Sequence, residues 1–293
     1  MKRVLYFLLL FTSSQLWGQE RLFWFIENSK MGFKDVHGTL VIRPKFAFLD
    51  DFSESLSAAG IGVNVVNALY GYINTKGEWV IKPGYTAAGA FSEGLARVNQ
   101  GGKWGYIDKA GTWVIAPQFY LCYEFVNGRA QACKDNKWGI IDKTGKWVVP
   151  NKYYNVTNIN EGILAVCPDM SAKWYVIDTT GKTISKESYS RIKDFKGGMA
   201  PARNDDDMYG FIAPNGEYLI KPIYTGAEPF SEGLAPVEVD NRNWGFIDKT
   251  GQMVIPATFT SSGRFLNGYA MVELGSEYVY IDKKGEIVLR FNK

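Results

Sequence analysis

The chain has 293 residues, of which 46% are hydrophobic and 22% charged, and this composition excludes an intrinsically disordered protein. The formal charge of +3 is too small to drive binding to nucleic acid or to anionic lipid by charge alone. One histidine and three cysteines do not favour a His/Cys metal site, and they exclude a disulfide framework. We therefore expect no metal and no cofactor.

The N-terminus has the layout of a cleaved secretion signal. Lys2 and Arg3 precede an unbroken apolar run over residues 4–11, and a polar stretch then leads to Gly18, the small residue expected at the cut. The apolar run is too short to cross a membrane, which takes about 20 residues. We predict a signal peptide over residues 1–18, a mature chain over residues 19–293 without a membrane span, and a location in the periplasm, on the cell surface or in the medium.

An internal repeat organises the rest of the chain. The segment that begins at Trp104 recurs at Trp138 and at Trp244, each time followed by Gly, an Ile-Asp pair and a turn glycine. The turn glycines are spaced by 39, 34, 34, 36, 35, 35 and 34 residues, and they are Gly38, Gly77, Gly111, Gly145, Gly181, Gly216, Gly251 and Gly285. So regular a spacing indicates eight copies of one unit and leaves no room for a separate domain.

Each unit contains three strand-like pieces, which in one copy are residues 95–98, 104–108 and 112–115. The last two alternate in polarity and are rich in aromatic and β-branched residues, as half-buried strands are. Between them lies Asp-Lys-x-Gly, in which Asp accepts backbone hydrogen bonds and Gly takes the left-handed conformation of a hairpin turn. The best-preserved turn pairs are Asp108 with Gly111, Asp142 with Gly145, and Asp248 with Gly251.

A proline follows the third piece in most copies, and it predicts that the strand ends there because proline has no N–H for a ladder. These prolines are Pro44, Pro83, Pro117, Pro150, Pro222 and Pro256. A connector comes next and carries a regular phenylalanine, which we expect to fill the seam between neighbouring units. These phenylalanines are Phe91, Phe125, Phe195, Phe230 and Phe265.

The predicted fold is all-β, with eight three-stranded antiparallel meanders of about 35 residues each in tandem. A meander of this size is not stable alone, so each unit must stack on its neighbours. The unit boundaries coincide with the ends of the mature chain, and no strand is left over to close a shared sheet. This favours an open curved array over a propeller-like ring.

The segments at Trp104-Gly105, Trp138-Gly139 and Trp244-Gly245, each followed two residues later by Ile-Asp, resemble the signature of the bacterial WG-repeat (KWG-repeat) family. The resemblance covers the mature chain, although Trp174-Tyr175 and Tyr278-Val279 depart from the motif. It implies an all-β array that acts in binding or scaffolding and has no shared catalytic residues. A glycine inside a strand marks a close approach, and we expect Gly105, Gly139 and Gly245 to leave room for a large neighbouring ring.

No catalytic residues are predicted, because the acids recur in every unit and a turn role accounts for them. A catalytic site should interrupt the repeat at one place, and no such interruption is visible. The acidic run over residues 204–207 is interpreted as a solvated hairpin tip, since it lacks the glycine and the distal glutamate of an EF-hand loop. Cys122, Cys133 and Cys167 are interpreted as small buried apolar residues.

Trp79, Trp113 and Trp147 hold the same third-strand position in three consecutive units. If exposed, they would form a stacking platform for a glycan or a peptide, and if buried they belong to the core, which is the favoured interpretation. The leading function is therefore an exported, non-enzymatic repeat protein that presents an extended β surface to an unidentified protein partner. The alternative is glycan or cell-envelope binding through these three exposed aromatic residues.

Overall fold

The computed structural model describes residues 22–63, 66–171, 173–240 and 242–291, and within them the chain forms only strands, turns and loops. The predicted signal peptide lies outside the described residues. No helix in the described part of the chain has the length and hydropathy needed to cross a membrane. The strands form eight antiparallel sheets of three or four strands, one for each predicted unit, so the predicted fold class is confirmed.

The first four sheets, which we number units 1 to 4, run in chain order. Unit 1 contains β1 (Phe23–Glu27), β2 (Lys30–Lys34) and β3 (Leu40–Phe46). Unit 2 contains β4 (Phe48–Leu49), β5 (Ser57–Ile61), β6 (Leu69–Ile73) and β7 (Trp79–Tyr85). Unit 3 contains β8 (Ala87–Ser92), β9 (Leu95–Gln100), β10 (Lys103–Ile107) and β11 (Trp113–Phe119). Unit 4 contains β12 (Leu121–Cys122), β13 (Ala130–Lys134), β14 (Lys137–Ile141) and β15 (Trp147–Tyr153).

Units 5 to 8 follow in the same way. Unit 5 contains β16 (Asn155–Val156), β17 (Ile163–Cys167) and β18 (Tyr175–Asp178). Unit 6 contains β19 (Arg191–Ile192), β20 (Ala200–Arg203), β21 (Tyr209–Ile212) and β22 (Tyr218–Tyr224). Unit 7 contains β23 (Gly226–Ala227), β24 (Ala235–Val239), β25 (Asn243–Ile247) and β26 (Met253–Phe259). Unit 8 contains β27 (Ser261–Ser262), β28 (Tyr269–Leu274), β29 (Glu277–Asp282) and β30 (Ile287–Phe291).

The connector adds a strand that the sequence did not predict. In unit 4 its first residues form β12, which pairs with β13 and gives the sheet the order β12-β13-β14-β15. The three strands that follow are the predicted meander, and the last of them lies at the outer edge of the sheet. We call these four elements the short, first, second and third strands of a unit.

The hairpin turn between the second and third strands forms as predicted. In unit 3, Asp108 Oδ1 accepts hydrogen bonds from the N–H groups of Ala110 and Thr112, each at 2.9 Å. The N–H of Gly111 donates to the Asp108 carbonyl, and Gly111 has a φ of 83°. A residue with a Cβ would be strained in that conformation, which is why glycine recurs at this place.

The prediction that proline ends the third strand is wrong, because β11 continues through Pro117 to Phe119. Trp104 pairs with Phe119 and Tyr106 with Ile115, so residues 116–118 of the third strand lie opposite Gly105 alone. The third strand therefore bulges over the glycine. Proline is tolerated in this bulge because the strand is at the edge of the sheet and has no further ladder to join.

This bulge also corrects the expected role of the signature glycine. A Cβ placed on Gly139 would lie 2.5 Å from the carbonyl oxygen of Val149 and 2.8 Å from the carbonyl carbon of Pro150. Gly105 and Gly245 meet the same backbone of their own third strands. The glycine thus makes room for the neighbouring backbone and not for an aromatic ring.

Consecutive units pack through a seam of apolar side chains. Tyr106 and Ile115 of unit 3 face unit 4, where they pack with Phe125 and Ala130 in one buried cluster. The connector phenylalanines are buried as predicted, and Phe125 lies 4.8 Å from the ring of Tyr106 between ring centroids. Seven clusters of this kind join the units in order. Among the described residues none of the seven joins unit 8 to unit 1, and the array is open.

Unit 5 interrupts the repeat, contrary to the sequence prediction. It has no third strand among the described residues, and the segment 182–190 makes only isolated bridges between Ile177 and Thr183 and between Trp174 and Tyr189. Buried Ser185 accepts a hydrogen bond from the N–H of Val176 at 2.9 Å. The interruption coincides with a change in sequence, because this copy places a serine where the other units have an aliphatic side chain.

Replacing Gly139 tests whether the bulge requires glycine. We expect Gly139→Ala to lower the free energy of unfolding by about 1–3 kcal/mol, and Gly139→Val by more, because the added Cβ collides with backbone that cannot move aside. The control is Gly84→Ala, since Gly84 has open space around its Cβ position and no positive φ. Thermal unfolding followed by circular dichroism measures the effect. Equal melting temperatures for Gly139→Ala and Gly84→Ala would contradict this account.

Candidate functional site

The recurrent aspartates are engaged in the turns. Asp142 Oδ1 accepts hydrogen bonds from the N–H and the hydroxyl of Thr144 and from the N–H of Lys146, at 2.9, 2.6 and 3.1 Å. The hydroxyl of Thr144 is the largest cause that lowers the pKa of Asp142. Asp248 makes the same contacts with Thr250 and Gln252, and its pKa is also lowered. These carboxylates stabilise turns and are held ionised.

The connector glutamates form a cross-unit contact that we call the carboxylate clamp. One oxygen of Glu93 in unit 3 accepts a hydrogen bond from the N–H of Gly128 at 2.9 Å and lies 3.1 Å from Nζ of Lys143, both in unit 4. Glu93 itself has a φ of 53°. The clamp thus joins the connector and the hairpin turn of one unit to the connector of the unit before it, with charge assistance.

Among the described residues, this clamp is complete at three seams and lacks the lysine at a fourth. Their members are Glu54 with Gly94 and Lys109, Glu93 with Gly128 and Lys143, Glu161 with Gly198, and Glu232 with Gly268 and Lys283. Burial raises the pKa of Glu93, but hydrogen bonds from Gly128 and Lys143 outweigh it and hold the pKa below its ordinary value. The pKa of Glu232 is lowered chiefly by Lys283.

Three seams within the described part of the chain lack a full clamp, and they differ in what they lack. At the seam between units 4 and 5, Asn127 and Thr179 replace the glutamate and the lysine. At the seam between units 5 and 6 the lysine position is Pro214, whereas Glu161 still binds Gly198. Between units 6 and 7 the lysine is kept as Lys249, and the glutamate position is Gly197.

A second bulge gives each third strand one extra aliphatic residue directly after its first residue. In unit 3, Ile107 pairs with Trp113 and Tyr106 with Ile115, so Val114 is an extra residue with no partner on the second strand. Its side chain is 43% exposed. The same extra position, which we call the rim stripe, is held by Val41, Val80, Val114, Val148, Leu219, Val254 and Val288.

The three signature tryptophans line the seams. Trp104, Trp138 and Trp244 are half-buried, and each packs on the cluster between its own unit and the next. The guanidinium carbon of Arg97 lies 4.9 Å from the ring centroid of Trp104, and Trp138 stacks on Tyr123. They therefore contribute to packing and to a few cation–π and stacking contacts.

Trp79, Trp113 and Trp147 begin their third strands and are half-buried. Each packs edge-on against an aromatic ring at the end of the preceding third strand. The partner rings are Phe46, Tyr85 and Phe119, with centroids 5.6, 5.8 and 5.9 Å away. This packing accounts for the three tryptophans as part of the seams, and their binding of a ligand stays a prediction.

The interruption in unit 5 opens onto a cleft of about 530 Å³. Its lining includes Lys186, Glu217 and Asp205. Lys186 pairs with Glu217 at 3.0 Å, and Lys173 with Asp205 at 2.6 Å. The predicted hairpin tip over residues 204–207 is confirmed, since it forms a turn at the edge of this cleft. Among the described residues no group of three or more His, Cys, Asp or Glu side chains is placed to hold a metal ion.

The remaining candidate nucleophiles are either inert or without the partner that they need. The three cysteines are buried, and burial raises the pKa of Cys122 to about 12, so that its thiol stays protonated. His37 lies in the exposed first turn, where its backbone N–H donates to Asp35 Oδ1. Neither residue type is activated in the way that nucleophilic catalysis requires.

Sequence reasoning missed the clamps and the rim stripe. It attributed all the recurrent acids, the connector glutamates included, to turns. The signal for the clamp was the joint occurrence of Glu before a connector glycine and Lys after the turn aspartate of the following unit, as in Glu93 and Lys143.

Comparison with known proteins agrees with the repeat. The family model described as WG containing repeat matches residues 31–62, 70–104, 104–138, 138–169, 176–206, 209–242 and 244–278. Each match extends from the second strand of one unit towards that of the next, so seven matches correspond to eight units. No curated protein matches the chain in sequence.

Two solved structures illustrate the similarity in fold. A crystal structure of the eukaryotic initiation factor has a TM-score of 0.60 and 13% identity, with 93% of this chain and 86% of that chain covered. BamB from Moraxella catarrhalis has a TM-score of 0.44 and 12% identity, with 80% and 82% covered. At 13% identity, the similarity to the first structure concerns the fold alone.

The clamp at Glu93 makes a pH-dependent contribution to the free energy of unfolding, and Glu93→Gln should remove it. We expect this variant to lose about 0.5 kcal/mol of unfolding free energy at pH 7, the size of a partly exposed ion pair. Because the folded pKa of Glu93 is lowered, the contribution is present above the ordinary carboxyl pKa of 4.5 and fades as the pH falls through the lowered value. Urea unfolding of the parent and of Glu93→Gln from pH 7 to pH 3 measures the difference in their unfolding free energies. A difference that grows as the pH falls would contradict the clamp.

Proposed function

The chain belongs to the WG-containing repeat family, and on that premise we propose that it is an exported, non-enzymatic repeat protein that presents an extended β surface to a protein partner. The rim stripe is the observation that supports this function most directly. Six of its seven residues are exposed and Val148 is half-buried, and each of their third strands is an edge strand of its sheet, with unit 5 as the gap in the row. An exposed apolar row beside unpaired strand edges is a surface that proteins recognise.

The proposal that the protein is not an enzyme is supported by the hydrogen bonds and the pKa shifts of its carboxyl groups. The turn aspartates and the clamp glutamates are hydrogen-bonded, and every described carboxyl group whose pKa departs clearly from its ordinary value has it lowered. A general acid at neutral pH needs the opposite shift. Paired or turn-bound carboxylates therefore favour a structural role.

Export is supported by the order of residues at the N-terminus, where Lys2 and Arg3 precede the apolar run and Gly18 stands at the expected cut. An exported chain would meet its partner in the periplasm, on the cell surface or outside the cell. N-terminal sequencing of protein recovered from these fractions should begin at Gln19, and a chain retained inside the cell with its first residues intact would contradict export.

Binding through the rim stripe is tested with Val114→Lys and Val254→Lys together in the full chain. We expect at least a tenfold loss in the amount of envelope protein that the tagged chain captures, because two charges interrupt the apolar row. The matched control is Val126→Lys, which changes a side chain of similar exposure in a connector. Equal capture by the stripe variant and the control, with both melting like the parent, would contradict this surface.

The alternative function, binding of an envelope glycan, is favoured by the partial exposure of Trp79, Trp113 and Trp147. Envelope polysaccharide should then quench tryptophan fluorescence in the parent, and Trp113→Ala should reduce the quenching while the fold is retained. The substitution also removes the contact with Tyr85 and should cost about 1–3 kcal/mol of stability, less than a fully buried tryptophan does. Absence of quenching in the parent excludes the glycan function.

A further inference from the structure

The seam between units 6 and 7 retains the receiving half of the carboxylate clamp without the glutamate. At the other lysine-containing clamps one glutamate carboxylate accepts from a connector glycine N–H and contacts a turn lysine, as Glu232 does with Gly268 and Lys283. The equivalent glycine and lysine here are Gly233 and Lys249. The glutamate position is Gly197, which has no side chain to offer.

Neither receiving group has a protein partner in the part of the chain that the structure describes. Among the described residues, Lys249 forms no ion pair and no hydrogen bond, and the N–H of Gly233 donates to no protein acceptor. Lys249 Nζ lies 2.9 Å from the point that a Cβ on Gly197 would occupy. The ammonium therefore lies over the glycine, where the other seams place the base of the glutamate side chain.

The residues around this site have also lost an acid and gained a base relative to the seams that have a complete clamp. The sequence Phe-Ser-Glu-Gly of unit 7 is Phe-Lys-Gly-Gly at residues 195–198 in unit 6, so a serine and an acid are replaced by a base and a glycine. Lys196 lines a cavity of about 610 Å³ together with Ser231, Arg264, Pro229 and Leu266. The acids of this cavity are engaged, since Glu228 pairs with Lys193 and Asp194 accepts from the amide of Asn158.

We propose that Gly233 and Lys249 bind a glutamate side chain of a protein partner, which completes from outside the clamp that the chain itself forms at the other seams. The ligand class follows from the resident groups, because Glu54, Glu93 and Glu232 each place a carboxylate between a connector glycine and a turn lysine in the same molecule. The cavity lined by Lys196, which precedes Gly197, accepts the neighbouring residue of the partner, and its lining includes apolar Leu266 and Pro229 and basic Arg264. This inference rests on the proposed function in that the carboxylate comes from a protein, but it uses a surface separate from the rim stripe.

The experiment uses the full chain labelled with ¹⁵N only at its 31 glycines, so that each clamp has its own amide signal. N-acetyl-glutamate N-methylamide is titrated in, and the isosteric glutamine compound is the matched probe. We expect a saturable shift of the Gly233 signal with the glutamate compound alone. Gly94, Gly128 and Gly268 are internal controls, because their N–H groups already donate to resident glutamates and should not respond.

Two variants separate a specific site from general attraction to a basic surface. Lys249→Met should abolish the Gly233 shift, and Gly197→Glu should place the resident carboxylate in the site and abolish the response to the probe. The second variant is expected to fold, since Glu54, Glu93, Glu161 and Glu232 all adopt a φ of 51–54° at this position and Gly197 has 63°. A melting temperature close to that of the parent verifies this.

The inference is overturned if the Gly233 signal does not shift, if the glutamine compound shifts it equally, or if Lys249→Met retains the response. Envelope capture by Gly197→Glu distinguishes this failure from failure of the proposed function. Capture that is unchanged in Gly197→Glu but lost in the rim-stripe variant leaves the protein-binding function in place and removes only the glutamate site.

Discussion

A sheet of three or four strands inside the array has a set of apolar side chains on each of its two faces and no other layer of its own to bury them. The molecule therefore depends on burial between consecutive sheets. In unit 3, Tyr106 and Ile115 face the next unit while Ala96 and Ile107 face the preceding one. A unit removed from the array would expose both sets. Stability therefore arises at the seams, as expected for a protein built from repeats.

The same constraint governs where function can reside. Side chains that recur from unit to unit form the turns, pack in the seams or pair in the clamps. The turn aspartates, which bind backbone N–H groups, are the clearest case. What is left for recognition is either a position that repeats at the surface, such as Val114 in the rim stripe, or a place where one unit departs from the others. Gly197 is such a departure, because it removes a carboxylate while Lys249, which would bind it, is retained.

The sequence predicted the units, their turns and the seam phenylalanines, but it assigned the wrong consequence to proline and the wrong neighbour to the signature glycine. Pro117 and Gly105 lie on different strands, and only the register of β10 on β11 brings them together. The interruption in unit 5 was also missed. Spacing of the turn glycines is preserved there, and the loss of a strand follows from contacts that spacing does not report.

The sequence by itself determined the number of units and the form of each hairpin, because a turn such as Asp108 to Thr112 is closed by atoms within four residues of one another. Only the tertiary structure decided which groups meet across the seams. Glu93 binds a glycine 35 residues away and lies against Lys143, 50 residues away. Such contacts depend on how one sheet packs on the next, and side-chain packing sets that arrangement over distances that no local pattern encodes.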